Sequence, residues 1–247
     1  MMDGEKQQSR GIYLLPNLFT TAGLFAGFYA IVAAIRGDFE SAAIAIFVAM
    51  VMDGLDGRIA RLTNTQSAFG AEYDSLADMA SFGLAPALVI FQWALLGMGK
   101  FGWMVAFIYA ACGALRLARF NTQIGIEDKR YFQGLPSPAA AACVAGWVWA
   151  GTSNNVDASL MTAIALPLTF ACGILMVSTV RYHSFKELDL RGKVPFVVML
   201  VLVLVFALVA IDPPLILFGS FVIYALSGPI FTLIKIRQHR TERHQGK

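Results

Sequence analysis

The sequence predicts an all-α integral membrane protein, and three observations lead there. Of 247 residues, 57% are hydrophobic and 14% charged, with a mean hydropathy of +0.65, and a soluble domain of this size has no interior for so much apolar surface. The apolar residues gather into eight runs of about 18 to 26, close to the length that crosses a bilayer as a helix. Lys and Arg collect between alternate runs, as they do in loops on the cytoplasmic side of a membrane.

Taken in order, the polar segment 1–12 leads into the first run, 13–35, which is too long for the apolar core of a signal peptide and lacks a convincing cleavage site. It is expected to remain as a span. The second, 41–62, follows the RGDFE break and closes on RIARL, and the third, 72–97, rises from AEYDS and stops before GMGK. The fourth, 101–121, ends on RLARFN; the fifth, 136–153, opens on PSP; the sixth is 158–180; the seventh, 194–211, follows RGK; the eighth, 214–235, follows DPP.

With the N-terminus in the cytoplasm, Arg36 and Lys100 are the only Lys or Arg on the outer side, and the other seventeen of the nineteen lie within. Both termini are then cytoplasmic, residues 13–235 form a single transmembrane domain, and 236–247 form a basic tail suited to anionic headgroups. The same distribution leaves no basic stripe with interleaved aromatics, so nucleic acid is not an expected partner. Cys112, Cys143 and Cys172 lie singly in apolar runs, and His183, His239 and His244 have no metal-ligand spacing. A disulfide framework and a zinc site are both excluded as readings.

Four aspartates break the pattern. Asp53, Asp56, Asp74 and Asp78 stand three, eighteen and four residues apart, in D-x2-D-G-x2-A-R-x8-G-x3-D-x3-D. The spacing puts two carboxylates on one face of each of two helices joined by a short polar loop. Asp53 and Asp78 each lie eight residues from the cytoplasmic ends expected for their helices, a matched depth of about 12 Å. Charge at that depth is costly and marks function. Pairing with Arg58 and Arg61 would make the cluster a structural hairpin clasp, but four carboxylates leave negative charge in excess. Two divalent cations would balance it, and all-oxygen ligation favours Mg²⁺ or Mn²⁺, a pair suited to displacement at phosphorus. Gly57 and Gly70 would let a bulky ligand approach the backbone.

This spacing resembles the signature of the CDP-alcohol phosphotransferase family. The stretches LLPNLFTTAGLFAGFYAI, DSLADMASFGLAPA, GALRLARFN, FQGLPSPAAAA and VSTVRYHSFKELDLR resemble the membrane-spanning serine-accepting branch of that family. The resemblance implies a CDP-alcohol phosphotransferase fold in the cell (inner) membrane, with the active site facing the cytoplasm and a homodimeric assembly. It implies Asp53, Asp56, Asp74 and Asp78 as ligands of two metal ions, with Asp78 also the general base. Asn17, Thr20, Gly57, Ala60, Arg61, Ser67 and Gly70 would hold the CDP moiety. CDP-diacylglycerol and L-serine would be the substrates, and CMP the leaving product.

The acceptor's carboxylate, or the lipid phosphate, needs cations and polar groups, for which Arg116, Arg119, Asn121, Ser137, Arg181 and Lys186 are the candidates. Arginines at inner helix ends also serve as topology anchors. Glycerol 3-phosphate, an inositol phosphate, or serine with an archaeal ether-lipid donor are the alternatives inside the family. A diphosphate-using prenyltransferase would separate its aspartate motifs widely along the chain. A small cation-coupled transporter would repeat its charged positions in the second half, where no such aspartates occur.

Overall fold

The computed structural model describes residues 14–63, 65, 67–123, 131–183 and 196–245. They form eight helices: α1 (Leu14–Ile35), α2 (Phe39–Leu62), α3 (Ala68–Met98), α4 (Lys100–Gln123), α5 (Ser137–Ser153), α6 (Ala158–Val177), α7 (Phe196–Ile211) and α8 (Pro213–Gln245). Each falls where an apolar run was expected. Five of them, α1, α3, α4, α6 and α8, are long and apolar enough to cross a membrane by length and composition. The other three depart for physical reasons. The C-terminal half of α2 carries Asp53, Asp56, Arg58 and Arg61, α5 has 17 residues, about 25 Å of helix against a hydrocarbon core of about 30 Å, and the described part of α7 covers 16.

The core sits around α5, whose sequence SPAAAACVAGWVWAGTS is buried at nearly every position. Small side chains let neighbouring backbones come close, which is how helices associate where lipid provides no hydrophobic drive between them. A Cβ on Gly146 would lie 3.1 Å from the Phe218 Cα of α8, and one on Gly151 would run into the Trp93 ring of α3. Around this centre, α1 and α2 make the most extensive helix pair, α4 packs on α6, and α7 makes its main contact with α8.

Of the prolines inside spans, Pro86 and Pro229 have the carbonyls they free answered by a buried tyrosine. Pro86 in α3 removes the donor for Phe82, four residues earlier, and the Tyr109 hydroxyl of α4 donates to that carbonyl at 3.1 Å. Pro229 in α8 does the same to Ala225, and the Tyr182 hydroxyl donates there at 2.9 Å. Both tyrosines are fully buried. In a bilayer an unanswered carbonyl costs several kcal/mol, so these pairings let α3 and α8 carry proline. The backbone of α3 widens into π-helical turns over Met79–Leu84, immediately after Asp78, and again over Phe91–Leu95.

The all-α expectation missed one small element. Strand β1 (Tyr131–Gln133) pairs antiparallel with β2 (Arg181–His183), setting Phe132 opposite Tyr182. Three-residue strands have too little alternation to register in a sequence, and their pairing bridges segments about fifty residues apart. Gly134 follows at φ +75°, where its N–H donates to the Val180 carbonyl at 2.8 Å. A Cβ there would strike the Met176 carbonyl, so the GLPSP turn needs glycine at that position. The α8 backbone continues beyond 235, through the basic stretch, to Gln245 as one helix.

Candidate active site

The site forms where the N-terminal ends of α1 and α3 meet the C-terminal end of α2. α2 closes with the Thr63 N–H bonded to the Ile59 carbonyl at 2.9 Å, and the Thr63 and Thr65 hydroxyls join at 2.7 Å. Ser67 then caps α3, accepting the Gly70 N–H at 3.0 Å, the usual way a serine satisfies an orphan donor in a first turn. The short connection makes α2 and α3 antiparallel neighbours. One carboxylate oxygen from each of Asp53, Asp56 and Asp74 lies within 4.8 Å of the others. Asp78, one turn deeper, joins them in lining a small void of about 10 Å³, room for about one water.

Packing against α1 sets the geometry of the carboxylates. The Thr20 hydroxyl donates to Asp56 Oδ2 at 2.8 Å, and Asp56 is 5% exposed. One turn on, the Ser81 hydroxyl of α3 donates to the Gly23 carbonyl at 3.1 Å, and a Cβ on Gly27 would sit 2.7 Å from the Ser81 Cα. Glycine at 27 therefore fixes how closely α3 approaches α1, and with it the position of Asp78. Tyr73 and Thr21 add a hydroxyl pair at 2.9 Å nearer the surface.

Above the carboxylates opens a cavity of about 500 Å³. The seven residues expected around CDP, namely Asn17, Thr20, Gly57, Ala60, Arg61, Ser67 and Gly70, all line it, and Asp53, Asp56 and Asp74 line its deep end. An added Cβ at Gly54 or Gly57 would meet nothing within 4 Å, so these glycines keep the cavity wide. Arg61 is braced by its Nε donating to the Gly57 carbonyl at 2.8 Å. Pro16, Gly54, Thr65 and Ala71 also line the cavity; sequence reasoning did not single them out, although each lies within four residues of one that it did. All-oxygen donors converging in this way fit hard divalent cations, and Asp53, Asp56 and Asp74, with Asp78 behind them, are the residues that would hold them.

Of the described acceptor candidates, only Arg116 and Ser137 come together. Arg116 of α4 donates through Nη1 to the Ser137 hydroxyl of α5 at 2.9 Å. Arg119 instead donates to the Val177 carbonyl at the end of α6, 3.2 Å away. Asn121 and Ser75 exchange hydrogen bonds of 3.0 and 3.3 Å, tying α4 to α3 beside Asp74. Arg181 stands exposed on β2 opposite Gln133. Lys186 lies outside the described residues.

A nucleotide-sized cavity ending on clustered carboxylates is the setting in which the family comparison decides. The sequence model of the CDP-alcohol phosphatidyltransferases matches residues 13–175, from α1 through most of α6. The chain belongs to the CDP-alcohol phosphatidyltransferase family. Among similar members of that family, the CDP-diacylglycerol–serine O-phosphatidyltransferase of Helicobacter pylori (strain J99 / ATCC 700824) is 37% identical over 225 residues, 91% of this chain and 94% of the relative. The enzyme of the same name from Mycobacterium tuberculosis (strain ATCC 25618 / H37Rv) is 35% identical over 209 residues, 71% of this chain and 72% of its own. An archaetidylserine synthase of Methanothermobacter thermautotrophicus is 32% identical over 184 residues, 74% of each chain. In this CDP-alcohol phosphatidyltransferase the matched region holds the four aspartates, every residue of the 500 Å³ cavity, and both Arg116 and Ser137.

Proposed function

We propose that this chain transfers the phosphatidyl group of CDP-diacylglycerol to the hydroxyl of L-serine and releases CMP. The observation that carries the reading is the cavity, large enough for a nucleotide and ending on three converging carboxylates. The serine acceptor is supported by relatives that carry that activity in their names, similar to this chain over as much as 91% of its length.

When bound, two divalent cations, Mg²⁺ or Mn²⁺, would neutralise the diphosphate and polarise the reacting phosphorus. Asp53, Asp56, Asp74 and Asp78 would hold them, and Thr20 fixes the orientation of Asp56 through its 2.8 Å bond. Asn17, Ser67, Ala60, Gly70 and the open face of Gly57 receive the cytidine and ribose. Arg61 sits against the phosphates, where a guanidinium offers two parallel donors. Asp78 takes the proton from the serine hydroxyl as its oxygen attacks the phosphorus that bears diacylglycerol. The bridging P–O bond breaks, and the electron pair leaves with CMP. Arg116, Arg119, Asn121, Ser137, Arg181 and Lys186 are the candidate anion-binding groups on the acceptor side.

The proposed setting is the cell (inner) membrane, with all eight helices in the bilayer, both termini and the cavity on the cytoplasmic side, and two copies of the chain in the assembly. The supporting observation is the charge distribution, with Arg36 and Lys100 alone outside. Residues 13–235 act as one catalytic domain, flanked by segment 1–12 and the basic stretch 236–247.

The test is purified protein with CDP-diacylglycerol, a divalent metal and labelled L-serine, glycerol 3-phosphate or inositol phosphate, following CMP and lipid product. Phosphatidylserine and CMP in equal amounts are expected. Incorporation of another acceptor in place of serine would overturn the assignment. The archaetidylserine synthase relative makes an ether-lipid CDP donor a useful further arm.

A further inference from the structure

We infer that Arg116, held by Ser137, is the residue that selects the acceptor by its carboxylate. The inference rests on the serine-transfer reading above and singles out one of its candidate cations. Arg116 is largely withdrawn from solvent at the meeting of α4 and α5, and its Nε is sealed with no hydrogen-bond partner among the described residues. A buried guanidinium N–H left unpaired is costly, and its presence asks for a ligand that completes it. Ser137 is itself 1% exposed and takes Nη1 at 2.9 Å, which leaves the side formed by Nε and Nη2. That is the fork that receives a carboxylate through two parallel bonds.

Position argues for the acceptor rather than the donor. The nucleotide cavity is lined only by α1, α2, the start of α3 and the turn between them, while Arg116 lies on the other flank of α3, within electrostatic reach of Asp78 and of Tyr224 on α8. An in-line displacement sends the leaving group out on the side opposite the attacking oxygen. With CMP leaving through the α1–α2 cavity, the attacking hydroxyl arrives from the flank where Asp78 can take its proton and Arg116 its carboxylate. The neighbouring candidates are already used: Arg119 on the last carbonyls of α6, and Asn121 on Ser75.

Ethanolamine is the discriminating probe, because it keeps the hydroxyl and amine of serine and lacks only the carboxylate. The full-length protein in mixed micelles, with CDP-diacylglycerol and saturating Mn²⁺ or Mg²⁺, is assayed with both acceptors as wild type, Arg116→Gln, Arg116→Lys and Ser137→Ala. The wild type is expected to favour serine by at least about 100-fold in kcat/KM. In Arg116→Gln that preference should fall to within about threefold through a raised KM for serine, with the KM for CDP-diacylglycerol changed by less than about threefold. Arg116→Lys, which keeps the charge but loses the fork, should retain less than about a tenth of the preference, and it carries the test if the glutamine variant fails to fold. Ser137→Ala should lower the preference by about 5- to 10-fold.

Equal loss of turnover with both acceptors, the preference intact, would make Arg116 a mere support for Asp78 and overturn the inference. A raised KM for CDP-diacylglycerol alone would assign the arginine to the donor phosphate and overturn it as well. Failure of the wild type to form any serine product would instead sink the underlying reading.

Discussion

At the scale of single residues, the aspartates are separable by what each would lose. Asp74→Asn removes a carboxylate whose oxygen lies within 4.8 Å of two others, and CMP release should fall by about 100- to 1000-fold. Its thermal stability without metal should match or exceed wild type, because a repulsive neighbour is gone. Asp78→Asn should cut kcat by about 100- to 10,000-fold while leaving the KM for CDP-diacylglycerol nearly unchanged, as a lost general base does. Near-normal turnover would remove Asp78 from that role. The glycines divide by surroundings that no sequence displays. Gly57→Leu points into open cavity, so donor KM should rise with little change in melting temperature. Gly27→Ala would force its Cβ within 2.7 Å of the Ser81 Cα and should cost about 1–3 kcal/mol. The motif made Gly57 visible and passed over Gly27, and only the neighbours tell which glycine makes room for a ligand and which for a helix.

At the scale of elements, the tyrosine–proline pairings tie α4 to α3 and β2 to α8. Tyr109→Phe leaves the Phe82 carbonyl without its 3.1 Å donor, and Tyr182→Phe does the same to Ala225 at 2.9 Å. Each should lower stability by about 1–3 kcal/mol, read as thermal unfolding in detergent. Tyr109→Phe should also reduce turnover, because its partner lies in the π-helical stretch that begins directly after Asp78; unchanged kcat would show that this stretch does not transmit to the site. The eight helices were legible because runs of apolar residues are a local property. Pro86 and Pro229 were equally visible in the chain, but their tyrosines were not: a hydroxyl on another element, 27 or 43 residues away, leaves no periodic trace. The β1–β2 ribbon escaped for the same reason, and Gly134 in the GLPSP turn acquires its meaning only from the Met176 carbonyl facing it.

At the scale of the whole molecule, the bundle keeps carboxylates together that would otherwise repel, and the cations that balance them should be bound to the folded state alone. Chelation with EDTA should therefore abolish turnover and lower the melting temperature, and Mg²⁺ or Mn²⁺ at about 100 times the dissociation constant should return about 2.7 kcal/mol. A melting temperature indifferent to metal would mean that the carboxylates are balanced in some other way. By itself the sequence determined the membrane class, the positions of the helices, the gathering of Lys and Arg between alternate apolar runs and the aspartate pattern, all carried by composition and by spacings within about thirty residues. Tertiary structure decided that the seven expected CDP residues share one cavity, that Asn121 and Arg119 serve neighbouring helices, and that Arg116 meets Ser137 with its Nε left over. Those outcomes depend on which helix faces meet, and that is set by close contacts at glycines and by buried hydrogen bonds between distant segments, interactions that belong to the packed chain and to no stretch of it alone.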